Sequence, residues 1–350
     1  MRRPTHRPLA QRLSAQQLAG QRIVYAYAGL KPPASLLAAI RAGQAGGVIF
    51  FAPNVASVRQ LRGVIDQLQR ASLASPVHTR LLMLTDQEGG AVRRLPGAPT
   101  LSEKRIGQSA NGVSLAASAG AGAGANLRAA GINVNLAPVL DVFRQPGNFI
   151  DEFGRSYSSN PAMAAALGRA FISAQQRKRV AATAKHFPGL GSAARNQNTD
   201  LRPVTVGTSL ASLRSIDEAP FRSAITAGIK LVMTSWATYP ALDRSRPAGL
   251  SAKVIGGELR RRLGFKGVTI TDGIQAGSLQ RFGGLSQRAV LAASAGADLI
   301  LCAATDPSDN TPSLGITARN AIASAIGSGH LGKAAAQQAA GRILALRAGL

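Results

Sequence analysis

Apolar residues along this chain come in short dense runs, separated by longer stretches in which they recur every three or four positions. Eight runs stand out: Ile23–Tyr27, Val48–Phe51, Leu81–Leu84, Ile132–Leu136, Val180–Lys185, Lys230–Met233, Gly267–Thr271 and Asp298–Leu301. Short, near-continuous and rich in branched side chains, they read as strands buried on both faces. Between them the spacing changes. Val58, Leu61, Ile65 and Leu68 share one face and predict a helix over 58–68. Similar spacing predicts helices over 11–22, 35–42, 114–130, 161–177, 216–227, 252–263, 286–295, 317–326 and 334–346, the fifth of these ten opened by Pro161 in its first turn. Runs and helices alternating over about 300 residues predict parallel βα units. A single (β/α)8 TIM barrel of class α/β fits the count. An open doubly wound sheet is the alternative, but no G-x-G-x-x-G turn follows the first run. No linker divides the chain, so the expected organisation is a polar segment and opening helix over 1–22 and a barrel over 23–350.

Composition adds limits. Of 350 residues 45% are hydrophobic but only 4% aromatic, so the core must be built from small and aliphatic side chains. The single cysteine, Cys302, excludes an internal disulfide and a cysteine metal cluster, and it reads as packing. Lys and Arg number 41 against 16 acids, a formal charge of +25. Such charge speaks of anionic partners, not of fold. The cations are spread along the chain, densest at Arg260–Arg262, with no zinc-finger spacing and no aromatic-plus-basic stripe. An acidic polymer such as a cell-wall anion fits as well as nucleic acid, and no specific nucleic-acid site is expected. No apolar run approaches the roughly 18 residues of a membrane-spanning helix. Arg2 and Arg3 precede no apolar segment. The chain as it stands therefore reads as cytoplasmic, or as exported if the true start lies upstream.

The candidate chemistry sits where the runs end. Asp86 and Glu88 follow the third, Asp141 the fourth, Lys185 and His186 close the fifth, Ser235 and Trp236 follow the sixth, and Asp272 the seventh. In a barrel these positions converge on one mouth. Any one alone reads as a cap or an ion pair; together they read as a site. Acids with Lys, Arg and His, without metal-ligand spacing, call for no metal and no cofactor. Carboxylates among neutral hydrogen-bonding groups suit a sugar. Asp272, followed by Gly273, is the best nucleophile candidate for glycoside hydrolysis; the simpler reading is a helix N-cap. Trp236 could stack on a sugar ring or belong to the core.

Six stretches then resemble glycoside hydrolase family 3, most closely its single-domain β-N-acetylglucosaminidases: GGVIFF (Gly46–Phe51), TDQEGGAVRRL (Thr85–Leu95), NVNLAPVLDV (Asn133–Val142), FGRSYSSNP (Phe153–Pro161), KHFPGLG (Lys185–Gly191) and GFKGVTITDG (Gly264–Gly273). The likeness covers about Gln16 to Leu346. It implies a barrel, a retaining mechanism through a covalent glycosyl-enzyme, and a terminal β-linked N-acetylglucosamine or related sugar, such as a cell-wall (peptidoglycan) sugar, as substrate. Asp272 matches the family nucleophile. Asp86, Arg94, Arg155, Lys185 and His186 match residues that hold the sugar. One departure stands out. The family's loop after the fifth strand reads K-H-F-P-G-H-G and ends in D-S-H, whose His and Asp form the acid/base dyad. Here Leu190 replaces the first loop His, and the loop ends Asn198-Thr199-Asp200. With a loop about two residues longer, Asp200 falls on the second His and becomes the acid/base candidate; otherwise Asn198 does. Gly189 and Gly191 read as hinges of a mobile loop. The alternative function is a sugar- or cell-wall-binding protein that has lost catalysis.

Overall fold

The computed structural model describes residues 8–350; Arg2 and Arg3, at the start of the polar N-terminal segment, lie outside the described residues. Eight parallel strands close into a barrel: β1 (Ile23–Tyr25), β2 (Gly47–Ile49), β3 (Leu82–Thr85), β4 (Val134–Asn135), β5 (Ala181–Phe187), β6 (Leu231–Thr234), β7 (Val268–Gly273) and β8 (Leu299–Cys302). Each pairs with the next, and β8 pairs back onto β1. The runs were continuous because both strand faces are covered. Val24, Leu82, Leu84, Leu231, Met233, Ile270, Leu299 and Leu301 fill the barrel interior. Their neighbours Ile23, Tyr25, Leu81, Met83, Ile300 and Cys302 pack outward under the helices. Cys302 is fully buried there, and burial pushes its thiol well up.

Small residues set the helical layer. The Ala/Gly-rich helix Gly112–Ala130 lies against Pro161–Gln176 so closely that a Cβ on Gly120 would sit 2.2 Å from the Phe171 carbonyl oxygen. Few aromatics are needed when backbones approach this far.

Some boundaries differ from the periodicity. The opening helix is two pieces, Leu9–Arg12 and Ala15–Gln21. Ser14 breaks it and starts a capping box with Gln17: its hydroxyl accepts from the Gln17 N–H, and its own N–H donates to the Gln17 side chain. The expected 216–227 helix begins instead as a wide turn over Leu213–Asp217, and the α-helix proper runs Ala219–Thr226. Pro220 is tolerated because it lies in the first turn of that helix. A short helix, Glu103–Gly107, went unread because five residues carry too little period.

Two hairpins elaborate the C-terminal ends of the strands. One, Gln87–Gly89 with Val92–Arg93, follows β3; the other, Thr238–Tyr239 with Asp243–Pro247, follows β6. No helix among the described residues is long and apolar enough to cross a membrane.

Candidate active site

Because the strands are parallel, the segments just past their C-terminal ends all lie at the same mouth. Asp86, Arg94, Arg155, Lys185, His186, Asp200 and Asp272 all line one cavity of about 360 Å³ there. Ile49, Met233 and Leu301, inward-facing strand residues, and Leu136 just past β4 form its apolar floor.

One side of the cavity is a charge network. Lys185, buried at 2% exposure, donates to Asp86 Oδ1 (2.8 Å) and pairs with Glu88 Oε1 (2.7 Å). Arg155 grips Glu88 with both arms of its guanidinium, Nε at 3.0 Å and Nη2 at 2.9 Å. Burial alone would raise the Glu88 carboxyl; the Arg155 and Lys185 charges outweigh it and hold Glu88 down at about 2. Burial likewise opposes the Lys185 charge, and Asp86 and Glu88 more than restore it. Glu88 therefore lies beneath the pocket as a fixed anion that orients two cations.

His186 is oriented the same way. Its Nδ1 donates to Asp141 Oδ2 (2.7 Å), while Asp141 Oδ1 accepts the N–H groups of His186 (3.2 Å) and Leu190 (2.6 Å). The backbone of Arg94 is held by Gln87, whose side-chain oxygen accepts the Arg94 and Leu95 backbone N–H groups at 3.0 Å and whose amide donates to the Leu95 and Ala98 carbonyls.

On the other side stand Asp272 and Asp200. Asp272, half-buried at the end of β7, accepts the Gly273 N–H at 2.7 Å. Asp200 stands at the cavity mouth with its side chain exposed to solvent. Burial first, and then the Asp272 charge, push its carboxyl up to about 6, against the opposing pull of Arg155 and His186. Asn198 does not line the cavity; its side chain accepts the Asp200 N–H at 2.8 Å and caps the turn. Leu190 lines the wall.

The loop that carries Asp200 is docked rather than free. The Gly191 carbonyl accepts from Arg144 N (2.9 Å) and Asn148 Nδ2 (2.6 Å), and a Cβ at Gly191 would sit 2.0 Å from the Val142 carbonyl oxygen. Gly189 has φ +132° and no room against Asp217. These glycines, read from sequence as hinges, are positions of close backbone approach. The far end of the loop is stitched to the segment after β7: the Asp200 carbonyl accepts from Gly277 N (2.7 Å) and the Thr199 carbonyl from Ser278 N (3.2 Å).

Two strand-end residues do not reach the cavity. Ser235 is buried and bonds the Ala237 N–H. Trp236 is buried with its Nε1 donating to the Gly273 carbonyl (2.9 Å), so it is core beneath the Asp272 turn. Three contributors escaped sequence reasoning. Gln87 lies inside D-Q-E-G-G, the one local signal available. Glu103, buried with Oε1 accepting the Val139 N–H at 3.0 Å, is raised by burial and by Glu88; Gly277 contacts Asp200 across 77 residues of chain. No local pattern announces either.

Among the described residues no three His, Cys, Asp or Glu side chains are grouped to hold a metal ion.

The sequence profile of the Glycosyl hydrolase family 3 N terminal domain matches residues 14–346. An uncharacterized secreted glycosyl hydrolase of Arthroderma benhamiae is 47% identical over 334 residues, covering 95% of this chain and 93% of that protein. A β-hexosaminidase of Thioalkalivibrio sulfidiphilus is 35% identical, covering 74% of this chain and 73% of the relative. The solved structure of a glycoside hydrolase family 3 β-N-acetylglucosaminidase from a Paenibacillus species superposes with a TM-score of 0.89 at 35% identity, covering 96% of this chain and 62% of that one.

Proposed function

The chain belongs to glycosyl hydrolase family 3 and is an O-glycosyl hydrolase, and from that premise we propose that it releases terminal β-linked N-acetylglucosamine, or a closely related sugar, by a retaining mechanism with Asp272 as nucleophile and Asp200 as acid/base. The names of its hexosaminidase relatives support the sugar. The observation that carries the mechanism is that Asp200 and Asp272 line one cavity; desolvation at the cavity mouth and the Asp272 charge raise the Asp200 carboxyl to about 6.

The steps follow from the two carboxyl groups. Asp272, ionised, attacks the anomeric carbon; the bond to the leaving oxygen breaks, and that oxygen takes the proton of Asp200. Water then attacks the same carbon, giving its proton to the Asp200 carboxylate, and the bond to Asp272 breaks. An ordinary aspartic acid near 3.9 holds too little proton at pH 6 to serve; one raised to about 6 is half protonated there. Asp86, Arg94, Arg155, Lys185 and His186 hold the sugar hydroxyls and N-acetyl group; Asp86, Arg155, Lys185 and His186 are fixed beforehand by side-chain partners, and Arg94 by its backbone. Such pre-organisation lowers the cost of ordering the site around the transition state. The likeness to a secreted relative supports export of this enzyme.

Asp200→Ala tests the reading on two substrates with poor and activated leaving groups. kcat/KM should collapse on the poor leaving group and hold on the activated aryl glycoside, which needs no proton. Equal retention on both removes Asp200 from the mechanism. No turnover of either substrate by the parent protein would leave a sugar-binding protein.

A further inference from the structure

Six of the exposed cations gather on one side of the barrel. The turns that lead into the strands emerge on the face opposite the cavity. Arg128 stands before β4, Arg177, Lys178 and Arg179 before β5, Lys230 before β6 and Lys266 before β7, and all six are exposed. These four strands are consecutive neighbours in the sheet, so the cations lie along one arc of the rim. No carboxylate side chain stands in residues 127–133, 175–180, 226–230 or 262–267; among the described residues none of the six pairs with an Asp or Glu side chain, and Arg128 reaches only an oxygen of Leu350, at 3.5 Å. Asp298, on the same side, is buried and already shared by Arg260 and Arg342. The densest cationic run of the earlier reading is largely answered too: Arg262 pairs with Glu258 and Glu218.

Helix dipoles do not account for the arc. A cation in or just past the last helical turn is favoured by the C-terminal dipole, which covers Arg128 and Arg177. Lys178, Arg179, Lys230 and Lys266 lie beyond the helix ends. Arg179 moreover has φ +58°, a backbone conformation that disfavours a long side chain. The backbone gives no reason for arginine there.

We propose that this rim docks the enzyme on an anionic polysaccharide, leaving the cavity facing away from the polymer. The surface reads charge alone. Phe265, beside Lys266, is buried at 2% exposure and offers no ring for a base to stack on. The helices turn their C-termini, not their phosphate-binding N-termini, to this face. The choice of a polysaccharide rests on the glycosidase reading; the cluster of cations does not.

The test uses the full chain and alginate, a carboxylated polysaccharide, with neutral dextran as control. The Arg177→Gln/Lys178→Gln/Arg179→Gln variant should bind alginate about tenfold more weakly, and its slope of log affinity against log salt should fall by roughly two. Removing three exposed cations from the mouth side, Arg105→Gln/Arg244→Gln/Arg246→Gln, should change affinity less than about twofold. Hydrolysis of a small aryl glycoside should be the same in the rim variant and the parent, which also reports that the variant is folded. Equal weakening by both variants overturns the rim in favour of diffuse attraction, and binding to dextran as tight as to alginate overturns the charge argument. Tighter binding to duplex DNA than to alginate at matched salt overturns the polysaccharide. Asp272→Ala should bind alginate like the parent, so loss of the glycosidase reading would show in hydrolysis and not here.

Discussion

Gly277 offers a sharp test of how Asp200, the proposed acid/base, is held. It is buried, and its N–H bonds the Asp200 carbonyl at 2.7 Å. A Cβ built there would stand 2.3 Å from the Leu201 carbonyl oxygen, 2.5 Å from its carbon and 3.0 Å from the Asp200 oxygen. All three are backbone atoms, so no side chain can swing aside. Ordinary contact begins near 3.4 Å, so Gly277→Ala must push the loop carrying Asp200 back by about 1 Å. A displacement of that size at a reacting group costs about 100-fold in rate, equivalent to about 2.7 kcal/mol of transition-state stabilisation. The loss should fall on proton donation. For a glycoside with a poor leaving group kcat/KM should drop about 100-fold; for an activated aryl glycoside it should change only a few-fold. The added methyl also overpacks the site, at a cost of about 1–3 kcal/mol in stability, so the melting temperature should fall and the assays belong well below it. An equal drop on both substrates, or none on either, would refute the idea that this contact positions Asp200.

Three further outcomes follow from the geometry. Asp272→Ala should abolish turnover of both substrates and leave melting near that of the parent, checked by kinetics and thermal unfolding; the proposed covalent step has no other carboxylate at the end of β7. The pH profile should show kcat/KM on a poor leaving group falling as pH rises through about 6, where the Asp200 proton is lost, with no such limb for the activated substrate. Glu88→Gln should destabilise the fold by about 3–5 kcal/mol in denaturant, because the buried Lys185 and the half-buried Arg155 lose their shared anion. In the parent, the Glu88 carboxyl lies below its unfolded value, so its stabilisation is present above about pH 4.5 and should fade as pH drops towards 2.

What could be read from the sequence was what local pattern encodes. A strand buried on both faces must be a continuous apolar run, and an amphipathic helix must repeat every three to four residues, so all eight strands and most helices were visible before any coordinates. The parallel order then obliged residues after strand ends to share a mouth, which is why Asp86, Lys185, His186 and Asp272 could be grouped from their positions alone. Pattern fails where a residue's neighbours are distant in the chain. Trp236 looked equally fit to stack on a sugar or to pack; the Gly273 carbonyl that binds its indole decides for the core. Gly189 and Gly191 looked like hinges until Asp217 and Val142 filled the space around them. The choice between Asn198 and Asp200 could not be made from loop length. It depends on Gly277 and Ser278 holding the loop end so that Asp200 lines the cavity while Asn198 caps the turn. Charge behaved alike: the run Arg260–Arg262 drew the eye, yet Asp298, Glu218 and Glu258 answer it, while cations scattered over some 140 residues of sequence meet on one rim. Hydrophobic period is a property of neighbours along the chain and survives without the fold; the environment of a titratable group is a sum over neighbours in space, and only closing the barrel brings them together.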